Sequence, residues 1–111
     1  MTTFDKREQA FENKYFHDEA LNFKAICKRR KLIGLWAAKK LRLDAEEALE
    51  YALEIVRFGV EDSTEGAVVS KILKDITEAG LDIDEEIIRD KMSDLDEVAR
   101  QQVQEMYDVE R

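Results

Sequence analysis

Apolar positions recur at helical spacing along the whole chain, in four segments joined by short polar stretches. The second segment has the clearest ends. Asp44 stands as a cap with Glu47 three residues on, Ala45, Ala48, Leu49, Ala52, Ile55 and Val56 form one apolar side, and Gly59 is the expected stop. Asp62 followed by Glu65 repeats the capping pattern, and Val69, Ile72, Leu73 and Ile76 give the third helix its inner side before Gly80. Asp82 or Asp84 caps the fourth. Its seam of Ile88, Met92, Leu95, Ala99, Gln102 and Met106 alternates by four and three, as bundle positions do. No strand pattern competes with these assignments.

The first helix is the irregular one. It is predicted to start at Thr2 or Thr3 and run to about Leu41, with a bend at Gly34. Phe4, Phe11 and Tyr15 fall within an arc of roughly 40° at 3.6 residues per turn, and the line then passes into Asp18 and Asn22. A second apolar line, Phe16, Ala20, Phe23 and Cys27, lies roughly 120° further round and is assigned to the core. Arg30 also falls on the core line, so either the register drifts there or its aliphatic stem lies on the core with its head in water. Short connections favour antiparallel neighbours. The expected fold is therefore all-α: a four-helix bundle-like domain over residues 19–111, preceded by a partly disordered or extended-helix N-terminal arm over residues 1–18.

Composition agrees with this picture. The 111 residues suit one domain, 44% hydrophobic and 40% charged, with no proline and four glycines. The single cysteine, Cys27, has no partner for an internal disulfide and fits a reducing, cytoplasmic setting. The N-terminus lacks the apolar centre of a signal peptide, and LIGLWAA falls far short of the roughly 20 residues that span a bilayer.

Charge is distributed unevenly. Between Glu19 and Asp44 there are eight bases and no acid, residues 1–19 carry a net −2, and residues 44–111 carry −14, giving −8 in all. A basic helix among acidic ones suggests intramolecular pairing. A phosphate or nucleotide patch formed by Lys24, Lys28, Arg29, Arg30 and Lys31, with weak affinity for ATP or ADP, is the competing reading. Nucleic acid is excluded as a partner by repulsion between a polyanion and an acidic protein.

Catalytic chemistry is poorly supplied. His17 and Cys27 are ten residues apart, about 15 Å along one helix, and cannot pair. One His and one Cys do not support a zinc site or a bundle diiron site, and DIDEE at residues 82–86 lacks the ligand pattern of a calcium loop. No phosphate-cradling glycine loop is present. The expectation is a non-enzyme with no catalytic residues, no metal and no resident cofactor.

The runs TTFDKREQAFENKYFHDEALNFK and RRKLIGLWAAKKL, then DAEEALEYALEIV and IIRDKMSDL, occur in an order and spacing that resembles the zeta subunit family, small inhibitors of the bacterial rotary ATP synthase. The resemblance covers essentially the whole chain. Cys27 and Lys31 stand where that pattern leads one to expect Ala and Asn, and Lys39 is more basic than usual. The resemblance implies a four-helix inhibitor that is a monomer when free and is located in the cytoplasm, peripheral to the inner membrane through the synthase. Its N-terminal segment would enter an interface between the alpha and beta subunits, wedge against the gamma shaft and stop hydrolytic rotation. Carried onto this chain, the contact residues are Phe4, Arg7, Glu8, Phe11, Glu12 and Tyr15, with no direct membrane insertion. A membrane-surface protein using the basic helix and Trp36 is a further class.

Overall fold

A computed structural model describes residues 19–110. They form four helices, α1 (Glu19–Lys40), α2 (Ala45–Glu61), α3 (Glu65–Glu78) and α4 (Glu85–Glu110), and no strand occurs among the described residues. The all-α, four-helix expectation is met. The expected arm, residues 1–18, lies outside the described residues.

Local chemistry sets most of the helix ends. The Asp44 carboxylate accepts from the Glu47 amide at 2.8 Å, and the Glu47 side chain accepts from the Asp44 amide at 3.2 Å, so the expected capping box is formed. Asp84, rather than Asp82, caps α4 by accepting from the Ile87 amide at 2.9 Å. The expected cap at Asp62 is displaced to Thr64, whose hydroxyl accepts from the Ala67 amide. Asp62 instead accepts from the Thr64 amide and hydroxyl, holding the cap two residues further on. At the other ends of α1 and α3, the Leu43 amide reaches back to the Ala38 carbonyl and the Leu81 amide to the Ile76 carbonyl. Both reversals need a left-handed residue, which is Gly80 at φ 78° after α3 but Arg42 at φ 61° after α1.

Gly59 does not stop α2. It is buried inside the helix, where a Cβ would fall within 2.6 Å of Arg30 Cζ, and the helix runs on to Glu61. Arg30 thus finds room on the core line because the facing residue has no side chain; it is 5% exposed and lies over Gly59. One turn further along α1, Gly34 lies against Ala52, with a Cβ there only 2.8 Å from the Ala52 Cα. The pairs Gly34/Ala52 and Arg30/Gly59 run in opposite chain directions, so α1 and α2 are antiparallel. The contacts Arg29 with Asp96 and Leu21 with Val103 make α1 and α4 antiparallel by the same logic.

Helix α1 is the central element, flanked by α2 and α4, with α3 closing the far end. Its buried residues, including Leu21, Ala25, Ile33 and Ala38, go round the cylinder rather than along one line, because it has neighbours on two sides. The main core joins Ile33 and Ala37 of α1, Ile55 of α2, Val68, Val69, Ile72 and Ile76 of α3, and Ile88 and Met92 of α4. A smaller cluster of Leu21, Ala25 and Val103, with Tyr107 against it, ties the start of α1 to the end of α4.

Three expected core assignments fail, each for its own reason. Ala20 and Phe23 are exposed and Cys27 is half-buried, so the second apolar line of the first helix is not the core face. Leu49 is 45% exposed and Ala45 is also exposed, because α3 covers only part of α2. Met106 is 56% exposed and Val103 takes the inner place, since the α4 seam advances by four at each of its last steps instead of by four and three.

Candidate functional site

The line of α1 that the bundle leaves uncovered opens into a groove of about 380 Å³. Leu21, Phe23 and Cys27 form its α1 wall, with Lys24, Lys28 and Lys31 along the same helix. Helix α2 contributes Leu53 and Val56, and α4 contributes Val103, Met106 and Tyr107. Phe23, Leu53 and Met106 are all more than two-fifths exposed, so the surface is apolar and open to solvent. Beside Met106 a shallower depression is bordered by Lys28, Gln102, Glu105 and Val109.

The five bases singled out in the sequence divide into three groups. Lys24, Lys28 and Lys31 meet at the groove, and none of them makes an ion pair among the described residues. Arg29 faces away and donates to Asp96 at 2.9 Å; Arg100 donates to the other oxygen of that carboxylate at 3.0 Å. Arg30 is inside, over Gly59, and burial pulls its guanidinium below its ordinary pKa. Residues 28–31 are successive, 100° apart on a helix, and so cannot share one face. Intramolecular pairing therefore accounts for Arg29, while the three lysines give the groove a positive rim. The six arm residues Phe4, Arg7, Glu8, Phe11, Glu12 and Tyr15 lie outside the described residues.

The remaining polar cluster ties α2 to α3. Tyr51 donates its hydroxyl to Asp75 at 2.7 Å, and Lys71 lies 2.9 Å from Asp75 and 3.6 Å from Glu54. Burial, reinforced by the bond to Asp75 and the charges of Asp75 and Glu54, pushes the Tyr51 hydroxyl well above its ordinary pKa. Burial acts to lower Lys71, but its bond and attraction to Asp75, with Glu54 adding, leave it raised. These groups hold one another, and none of them lines the groove. Trp36 packs against the main core with the Lys40 ammonium 5.7 Å from its ring centre, so it takes no part in the groove.

Among the described residues no group of three or more His, Cys, Asp or Glu side chains is placed to hold a metal ion. No described helix is long and apolar enough to cross a membrane. What the site offers is an apolar trough with cations on one side, suited to binding an amphipathic segment or an anion with an apolar body. The family model for ATPase inhibitor subunit zeta matches residues 1–102. The chain belongs to that family. No curated protein and no solved structure matches it. The match includes both the undescribed N-terminal segment and the first three helices, so the family's sequence pattern joins the arm to the bundle.

Sequence reasoning missed the α2 and α4 walls. The apolar pattern alone gives Leu53 no role and puts Val56 and Met106 in the core. The signal is the width of the apolar side of α2, where Leu49, Leu53 and Val56 share one line and Ala48, Ala52 and Ile55 lie beside it, together spanning about 160° of the helix, more than one neighbouring helix covers.

Proposed function

We propose that this protein is a regulatory inhibitor, not an enzyme, that binds the catalytic head of the ATP synthase through residues 1–18 and blocks ATP hydrolysis by stopping rotation. The observation that carries the reading is the match to an ATPase inhibitor family over residues 1–102, which includes the arm. In the sequence, Phe4, Phe11 and Tyr15 make a stripe that suits a helix lying in a groove between subunits. Alpha, beta and gamma subunits are the contacts, and the protein is cytoplasmic, peripheral to the inner membrane through the synthase.

The test is hydrolysis by the purified catalytic head, titrated with full-length protein. Phe11→Ala is expected to weaken inhibition by about 2 kcal/mol, or roughly 30-fold, as a central anchor does. Lys14→Ala, which removes a charge off the line of Phe4, Phe11 and Tyr15, should cost well under tenfold. Equal potency of Phe11→Ala and wild type would overturn the arm mechanism.

A second reading rests on Lys24, Lys28 and Lys31 beside the apolar groove: a weak site for ATP or ADP. Millimolar ATP should then shift amide resonances between Phe23 and Leu43, and salt should weaken the effect.

A further inference from the structure

The groove is unusual for a small soluble domain because it leaves Phe23, Leu53 and Met106 uncovered together. We propose that it is an intramolecular dock for residues 4–15 of this same chain, folded back along α1. The arm is attached at the mouth of the groove, since α1 begins at Glu19 and Leu21 already lines the wall. A short tether of that kind gives an effective concentration of about a millimolar or more, which a separate partner or a second copy carrying −8 must exceed.

Length and the placing of charge agree with this occupant: residues 4–15 hold three acids and three bases, and wound as a helix they would carry Asp5, Glu8 and Glu12 on one side and Lys6, Arg7 and Lys14 on another. The α1 wall from Leu21 to Lys31 spans ten residues, about 15 Å of helix, and residues 4–15 wound as a helix cover a similar distance. The three lysines at the groove are spaced by four and then three. Reading backwards from the reversal, the acids Glu12, Glu8 and Asp5 have the same spacing. With the turn centred on Asp18, Glu12 comes opposite Lys24, Glu8 opposite Lys28 and Asp5 opposite Lys31. Tyr15 and Phe11 then lie along the stretch that begins at Leu21. Each of these lysines is without an ion pair among the described residues, so each is available. The regulatory consequence rests on the arm's proposed role. A docked arm is withheld from the ATP synthase, and apparent potency falls by the docked fraction.

Cys27 lines the groove and is the only thiol, so its alkylation by iodoacetamide in the full-length protein reports occupancy. Glu8→Lys and Lys28→Glu are each expected to speed alkylation several-fold, and the exchanged pair in one chain should slow it again. Placing Glu beside the thiol disfavours the thiolate, so a faster reaction in Lys28→Glu cannot arise from that charge. Identical rates in all four proteins overturn the dock, and so does protection that grows with protein concentration, which would identify a second copy as the occupant. Hydrolysis assays separate this inference from the one above. Lys28→Glu is expected to inhibit at a several-fold lower concentration than wild type. If wild type inhibits but alkylation never changes, the dock fails alone. If alkylation responds as expected but nothing inhibits, the arm's role fails and the dock stands.

Discussion

Around Ile72, nine buried residues drawn from all four helices close on one another, whereas around Leu21 only three do, from α1 and α4 alone. The wide end has α3 lying across its neighbours, fixed to α2 by the Tyr51, Asp75 and Lys71 cluster. The narrow end has no such cover, and its apolar side chains line an open groove instead of a core. The difference separates two tasks within one short chain. Burial that specifies the fold is concentrated where four helices meet, and the sparser end leaves apolar side chains open to solvent.

The strongest attempt to break this division compares truncations at the two ends. Ile72→Ala is expected to cost about 2–5 kcal/mol in denaturant unfolding, because a fully buried side chain leaves a cavity among close-packed neighbours. Val103→Ala should cost about 1.5 kcal/mol, since fewer contacts surround it. Equal losses would mean that the narrow end is as much a part of the core as the wide one.

A smaller effect sharpens the contrast through pH. The fold favours the neutral Tyr51 hydroxyl and the charged Lys71 ammonium, both with pKa values raised. Each therefore contributes stability that is fully present below its unfolded value, near 10 for both, and that is lost as pH rises above it. Tyr51→Phe is expected to cost about 1–2 kcal/mol at neutral pH and to make the alkaline decline shallower, as read from thermal melts across pH. An unchanged alkaline limb would show that the cluster does not govern it.

The smallest expected change is a gain. Arg42 bears a left-handed conformation that Gly80 bears after α3 without strain, so Arg42→Gly should add up to about 1 kcal/mol. Cys27 alkylation should stay as in wild type, because the change lies at the wide end. A faster alkylation would show that the two ends are coupled.

Features set by neighbours in sequence were legible and those set by neighbours in space were not. The Asp44 and Glu47 box could be read because both partners lie within one turn. Thr64 was overlooked because Asp62, two residues earlier, offers the same carboxylate chemistry and uses it to orient the true cap. Gly59 looks like a terminator, yet its reason for being glycine is Arg30, 29 positions away. The groove was hidden for a related cause. Helix α1 has partners on two sides, so its apolar residues point several ways, and Phe23 and Cys27 differ from core residues only in what the other helices leave open. The basic run could have been resolved from geometry alone, since four successive residues at 100° steps cannot form one patch.

The fit of Arg30 over Gly59 has a consequence for how this sequence can drift. A methyl group at position 59 collides with the arginine, and a shorter residue at position 30 leaves a hole above the glycine. Either change alone is penalised, whereas a shortened residue 30 and an enlarged residue 59 together refill the same volume. The two positions thus share one volume, and a side chain at 59 fits only where the arginine moves aside or shortens.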